Sequence, residues 1–391
     1  MVGNRNLDSI GSRRLHELYA NSNEERDVPV RYERLKARAK ENMENGRYQY
    51  LAGGVGHEET MTANREAFDD WQIVPRVLRD VSNRSMAVSL FGRKLASPVL
   101  VAPVASQQIM HEDGDLASAR AAASLGVPYV ASSGSSTKLE DIAQTLGDTP
   151  RLLQLKLMPD RNVLESMVER AESAGYDGIV VTVDAPIPGW RVRLLESGYR
   201  PTQEGATVAN YFGDPAFRAS LEKSPESDPE AAMEAYRDLV WDASMNWDDL
   251  ATLRTITDLP LFVKGIVHPT DAEAAVASGA DGIVVSNHGG RQLDGAVGSL
   301  DALPDVVDAV GEQATVLFDS GIRQGSDVFK AIALGADAVL VGRPYLYGLA
   351  IDGENGVQEV LQNLLADLHM TMGLAGYNAI TDVDRSAVVR R

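Results

Sequence analysis

The chain has 391 residues, 44% of them apolar, with a formal net charge of −19 and a pI near 4.8. Such an acidic surface repels phosphate backbones and anionic headgroups, so neither nucleic acid nor a membrane is expected as a partner. There is no cysteine, which excludes disulfides, thiolate metal ligands and cysteine nucleophiles; no metal site is expected.

The opening MVGNRNLDSIGSRRLHELY lacks the apolar core of a signal peptide, and no run reaches the length of a membrane span. A cytoplasmic protein is expected, and the acidity would suit a salt-rich cytoplasm. Residues 1–95 carry charged, helix-forming sequence such as NEERDVPVRYERLKARAKENMENGRYQYL and read as an N-terminal helical extension.

From about residue 98 a unit repeats: a short apolar run, a polar or glycine-containing end, then an alanine-rich helical pattern. The runs are VLVAP (99–103), VPYVAS (127–132), LLQLK (152–156), IVVTVD (179–184), LFVKG (261–265), IVVSNH (283–288), VLFDSG (316–321) and VLVGRP (339–344). Continuous β-branched runs fit strands buried on both faces, as in a parallel sheet. The segments between them end at glycine, a helix C-cap signal. Eight βα units imply a TIM barrel over 96–391; a doubly wound sheet is the alternative. Between the fourth and fifth runs, residues 186–246 break the rhythm with PIPG, SGYRPTQEG and KSPESDPE. So long an insertion on the C-terminal face reads as a lid or a disordered loop.

The C-terminal ends of barrel strands face one cavity. Here they supply Ala105, Ser132, Gln154, Lys156, Thr182, Asp184, Lys264, His288, Arg291, Asp319 and Arg343. In SNHGGRQLD (286–294), His288 follows a strand, and Asp184 ends another. A carboxylate on one imidazole nitrogen fixes the tautomer and leaves the other to take a substrate proton. Arg191 and Arg291 would clamp a substrate carboxylate, or form exposed salt bridges. Lys264 reads either as a Schiff-base nucleophile or as a cation stabilising developing negative charge. FDSGIRQGSD and VGRP place Gly321, Arg323, Gly342 and Arg343 after the seventh and eighth runs. Those loops are the usual phosphate site of TIM barrels; tight βα turns are the other reading of the glycines.

SNHGGRQLD, LFDSGIRQGSDVFKA, VGRP, LFVKG and TVDAPIPGWR together, in this order, resemble the FMN-dependent α-hydroxy acid oxidases and dehydrogenases. The resemblance spans about Tyr48 to Ile380, and GWRVRLL and NYFGDPAFRASL look most like the lactate 2-monooxygenase branch. It implies a TIM barrel holding FMN, with His288 as base, Asp184 orienting it, Arg191 and Arg291 on the carboxylate and Tyr50 on the substrate. It further implies Lys264 beside the flavin N1–C2 carbonyl, where it would stabilise the anionic reduced flavin. Ser132, Gln154 and Thr182 would hold the ring, with Pro103–Ala105 facing N5. Asp319 would take ribityl hydroxyls, and Gly321, Arg323, Gly342 and Arg343 the phosphate. A homo-tetramer or homo-octamer is implied as well.

One position departs from the family's pattern. Its Gln-Leu-Tyr becomes Gln154-Leu155-Lys156. The lysine either brings a cation that favours a second acidic group on the substrate, or turns outward and leaves the pocket larger. The expected activity is oxidation of a lactate-like L-2-hydroxy acid to the 2-keto acid with O2 as acceptor. Decarboxylation follows if peroxide and keto acid stay trapped; if the keto acid leaves first, H2O2 is released. A dehydrogenase with another acceptor, a Schiff-base lyase through Lys264, and an FMN-binding paralogue disabled by Lys156 are the competing readings. Ala105 is small as in the oxidases, against the monooxygenase look of GWR.

Overall fold

The computed structural model describes residues 10–20, 26–204 and 207–391. Parts of the N-terminal extension (1–9, 21–25) and of the insertion (205–206) lie outside the described residues. Strands β1 (Trp71–Ile73), β2 (Val88–Leu90) and β3 (Arg93–Leu95) precede the repeating region. The eight apolar runs then form β4 (Val99–Val101), β5 (Tyr129–Ser132), β6 (Arg151–Leu155), β7 (Gly178–Thr182), β8 (Leu261–Ile266), β9 (Gly282–Val285), β10 (Thr315–Phe318) and β11 (Ala338–Val341). They close into a parallel barrel in sequence order, β11 pairing back onto β4 through Val339–Val99, Leu340–Leu100 and Val341–Val101. Closure excludes the doubly wound alternative.

Side chains alternate across a strand, so every second residue points inward. Leu100, Val130, Leu152, Val180, Phe262, Val284, Leu317 and Leu340 fill the barrel interior. The antiparallel β2–β3 pair covers the end opposite the site, with Leu90 and Leu95 in the same cluster and Phe91 edge-on to Phe262 at 5.2 Å. The outward residues of the strands pack under the surrounding helices in the second, larger core.

The N-terminal segment forms helices α1 (Ile10–Ala20), α2 (Tyr32–Asn42), α3 (Asn45–Ala52) and α4 (Glu59–Asp69), and β1 pairs with β12 (Val388–Arg390) at the far end of the chain. The insertion between β7 and β8 is largely helical, including Ala209–Phe212, Pro215–Ser220 and Pro229–Val240. Asp228-Pro229, in the KSPESDPE stretch that reads as a breaker, starts a helix, as does Asp214-Pro215: Asp214 and Asp228 accept from backbone N–H groups of the first turn, and Pro215 and Pro229 take the first helical position. The insertion rests on the N-terminal segment through Arg193–Glu58 (3.0 Å) and Arg47–Glu204 (3.1 Å).

The helical stretch Arg343–Ala375 begins at the cavity and breaks at Asp352 and Gly353. Gly348 and Gly356, on either side of the break, meet backbone to backbone. A Cβ on Gly356 would lie 1.9 Å from the Gly348 carbonyl oxygen. Gly356→Ala therefore costs about 1–3 kcal/mol or more through overpacking, read as a drop of several degrees in the thermal midpoint. An unchanged midpoint would contradict this packing.

Candidate active site

The inward parity that fills the barrel with apolar side chains continues past the core, and the chemistry changes with each step of two. One layer up stand Ser132, Gln154, Thr182, Lys264, Ser286 and Asp319. Ser132 Oγ donates to Gln154 Oε1 (3.0 Å), and Gln154 Nε2 to Thr182 Oγ1 (3.0 Å). Lys264 Nζ donates to Ser286 Oγ (2.9 Å) and pairs with Asp319 at 3.1 Å. The next step of two brings Lys156, Asp184 and His288.

His288 Nδ1 and Asp184 Oδ1 lie 2.9 Å apart. The residue adopts φ +59, a left-handed conformation unusual for a side chain of this size. Its loop is pinned by a reciprocal amide pair between Asn287 and Asn64 of α4, both bonds 2.8 Å. Gly290 comes next but one at φ +70, where a Cβ would lie 2.8 Å from the Met61 backbone nitrogen, so only glycine fits. Burial pushes the His288 pKa below its ordinary 6.5 against the pull of Asp184. Burial would raise Asp184, but His288, Lys264 and Lys156 hold its carboxyl below the usual range. The pair is therefore a neutral imidazole donating Nδ1–H to an ionised carboxylate, with Nε2 free as a base. For His288 to act as a base its ring must be neutral, so in that role kcat/KM should fall as pH drops through the His288 pKa, giving an acid limb with midpoint below 6.5. A limb centred above 6.5 in a pH–rate profile would contradict the assignment.

Four arginines converge on the same cavity. Arg291 donates through Nη1 to Tyr50 O and Gly53 O, both at 2.8 Å, and lies 5.1 Å over the Tyr50 ring. Arg191 Nε donates to Arg291 O at 3.2 Å. Arg343 donates to carbonyls of Leu51, Gly289 and Gly53. Arg323 stacks on Tyr32 at 4.4 Å, and its Nε is buried without a hydrogen-bond partner. None of the four makes an ion pair with an acidic side chain among the described residues. Burial and the neighbouring Arg191 push the Arg291 guanidinium down to about 9, and burial and Arg291 push Arg343 down to about 10. Cations so placed call for anions that the protein does not itself supply.

Lys264 answers one of the open questions. Burial opposes its charge, yet Asp319 and Asp184 outweigh it and hold the ammonium above the ordinary lysine value. A lysine kept protonated is a fixed cation and a poor imine-forming nucleophile, which argues against a Schiff-base lyase.

Tyr50, Pro103, Ala105, Ser132, Gln154, Lys156, Thr182, Arg191, Lys264, His288, Arg291, Asp319, Gly321, Arg323, Gly342 and Arg343 all line one cavity of about 770 Å³. Asp184 stands behind His288, bonded to it. The cavity also has a wall that the sequence reading missed: Tyr199, Tyr211, Tyr236 and Trp241, all from the insertion. No periodicity marked them, because they come from separate places in the insertion: a loop (Tyr199), a four-residue helix (Tyr211), and the body and C-cap of Pro229–Val240 (Tyr236, Trp241). Burial pushes the Lys156 ammonium down to about 7, with Asp184 opposing and Arg191 assisting.

The donor set suits a phosphorylated planar cofactor. At one end Arg323 Nε is unpartnered beside Arg343, and a Cβ on Gly342 would meet nothing closer than 3.9 Å. Along the wall, amide and hydroxyl groups of the first polar layer are in place to meet a polar ring edge.

A family model described as FMN-dependent dehydrogenase matches residues 39–390. The FMN-dependent alpha-hydroxy acid dehydrogenase qulF of Penicillium citrinum is 45% identical over 359 residues, 91% of this chain and 89% of its own length. The L-lactate oxidase of Lysinibacillus sphaericus (strain C3-41) is 41% identical over 362 residues, 93% of each chain. A solved structure of an active chimera of (S)-mandelate dehydrogenase aligns with a TM-score of 0.85 at 37% identity, covering 94% of this chain and 100% of that one. Among the described residues no helix is long and apolar enough to cross a membrane. The chain belongs to the FMN-dependent dehydrogenase family, and it is an FMN-dependent oxidoreductase of α-hydroxy acids.

Proposed function

We propose that the protein oxidises an L-2-hydroxy acid to the 2-keto acid and passes the electrons to O2. One observation carries this reading: a neutral histidine held by a largely buried aspartate shares its cavity with half-buried arginines that have no acidic partner among the described residues. FMN, when bound, supplies the two-electron acceptor. Arg191 and Arg291 bind the substrate carboxylate and so fix which hydrogen faces the ring. His288 Nε2 takes the substrate proton, and Asp184 stabilises the imidazolium that results. Lys264 places its charge where negative charge develops, and Tyr50 closes the carboxylate side. Ser132, Gln154, Thr182 and the Pro103–Ala105 backbone would hold the ring, Asp319 the ribityl chain, and Gly321, Arg323, Gly342 and Arg343 the phosphate.

The insertion acts as the lid in this reading. If it keeps keto acid and peroxide together, RCH(OH)COOH and O2 become RCOOH, CO2 and H2O, as in the lactate 2-monooxygenase branch. The insertion's GWRVRLL stretch and its contribution of a whole cavity wall favour that outcome. The second reading, an oxidase releasing H2O2, is favoured by Ala105 and by the relative named L-lactate oxidase. Aerobic turnover of L-2-hydroxy acids, L-lactate included, with quantification of keto acid, shortened acid and H2O2 separates them. One H2O2 per keto acid sinks the decarboxylating reading; no product from any 2-hydroxy acid sinks both. The same reading has the enzyme acting in the cytoplasm as a homo-tetramer or homo-octamer, which sedimentation of the holoprotein tests.

A further inference from the structure

Lys156 directly follows β6, in the same layer as Asp184 and His288, yet its ammonium is engaged elsewhere. It donates to Ala185 O at 2.9 Å and Val240 O at 3.1 Å, and it sits 3.4 Å over the centre of the Trp241 ring. Val240 closes the helix Pro229–Val240, and Trp241 caps it, its N–H donating to Arg237 O at 3.1 Å. A helix end leaves carbonyls unpaired and partly negative, which favours a cation there. An indole face is the best aromatic seat for one. An ammonium has three N–H donors and accepts nothing. Two carbonyls and a ring face take all three, and all belong to the connection between β7 and β8. Ala185, Tyr236, Val240 and Trp241 also line the cavity, so this junction forms part of its wall.

We propose that Lys156 is a positioning residue that sets specificity: it fastens the insertion to the barrel rim and holds Trp241 as a fixed apolar wall, so that the enzyme selects 2-hydroxy acids with a bulky apolar side chain. Resting on the function proposed above, this adds the substrate class. An ammonium already saturated offers no seat for a second carboxylate, so dicarboxylic hydroxy acids are disfavoured. A methyl group is too short to reach the wall, so L-lactate gains little from it.

The test uses the holoprotein, Lys156→Met, Trp241→Leu and the double variant, with L-3-phenyllactate, L-lactate and L-malate as substrates and trypsin as a probe of the insertion. The wild type should turn over phenyllactate with the highest kcat/KM and malate with the lowest. Lys156→Met should lose about tenfold in kcat/KM for phenyllactate, mainly through KM, and much less for lactate, as expected for one cation at a helix end and an indole face. Trypsin should cut its insertion sooner than that of the wild type. Trp241→Leu should show the same loss, and the double variant should lose no more than either single change, as coupled partners do. Malate as the best substrate, an equal fall in kcat for all three acids, or additive losses would overturn the proposal. Should Lys156→Met fail to fold, the phenyllactate-to-lactate ratio of Trp241→Leu decides alone. If no acid is turned over, the proposed function fails, while the trypsin comparison still judges the latch.

Discussion

Replacing His288 with glutamine lowers the rate of flavin reduction by a 2-hydroxy acid about 10²- to 10⁴-fold, the range that a positioned general base contributes. Glutamine keeps a planar polar group of similar reach, so FMN binding and the fold should persist, and the visible flavin spectrum serves as the control. The physical ground is the 2.9 Å contact between His288 Nδ1 and Asp184 Oδ1, with burial keeping the ring neutral. Asp184 stays ionised because His288, Lys264 and Lys156 outweigh its burial, so it can hold the imidazolium after proton transfer. Anaerobic stopped-flow absorbance measures the rate directly. A variant that reduces its flavin at the wild-type rate would remove His288 from the chemistry.

The second large effect belongs to Arg291. Arg291→Met would remove one arm of the proposed carboxylate clamp, and the charge on the substrate would then enter the cavity under-satisfied. Losing one partner of a buried charge pair costs about 2–5 kcal/mol, so kcat/KM should fall roughly 30- to 4,000-fold, since each 1.4 kcal/mol is a factor of ten. Most of the loss should appear in KM, because the carboxylate is bound before and during oxidation alike. Arg191 remains, which leaves residual binding. Steady-state kinetics with an acid and its neutral amide separate charge recognition from bulk: the amide should lose much less than the acid. Equal losses for both would place Arg291 outside the clamp.

Much of this site was legible in the sequence, and a physical reason explains which part. Barrel strands alternate with period two, so Gln154 and Lys156, Thr182 and Asp184, and Ser286 and His288 had to rise in successive layers on one side. Runs such as Ile179–Val181 and Ile283–Val285, apolar on both faces, announced a parallel sheet covered on both sides, while only the count of eight such units pointed to a closed barrel over an open, doubly wound sheet. The direction of a long flexible side chain was not legible. Spacing put Lys156 at the rim, but only the position of the Pro229–Val240 helix end and the Trp241 ring draws its ammonium onto the insertion wall of the cavity. The helices of the insertion were hidden in part because Asp-Pro serves both as a turn and as a helix start. The residues beyond such a pair decide between the two, and Asp228-Pro229 opens a 12-residue helix. The aromatic wall was invisible because Tyr199, Tyr211, Tyr236 and Trp241 share no period.

In the proposed function, His288, Asp184 and the arginine pair act together on an L-2-hydroxy acid in front of FMN. Anaerobic mixing of the holoprotein with the L and D enantiomers of one 2-hydroxy acid, with absorbance and keto acid assayed afterwards, tests it most directly. The L acid should bleach the flavin and yield one keto acid per flavin, while the D acid should do neither. A flavin that stays yellow with every L acid offered, or that either enantiomer bleaches at the same rate, would contradict the account.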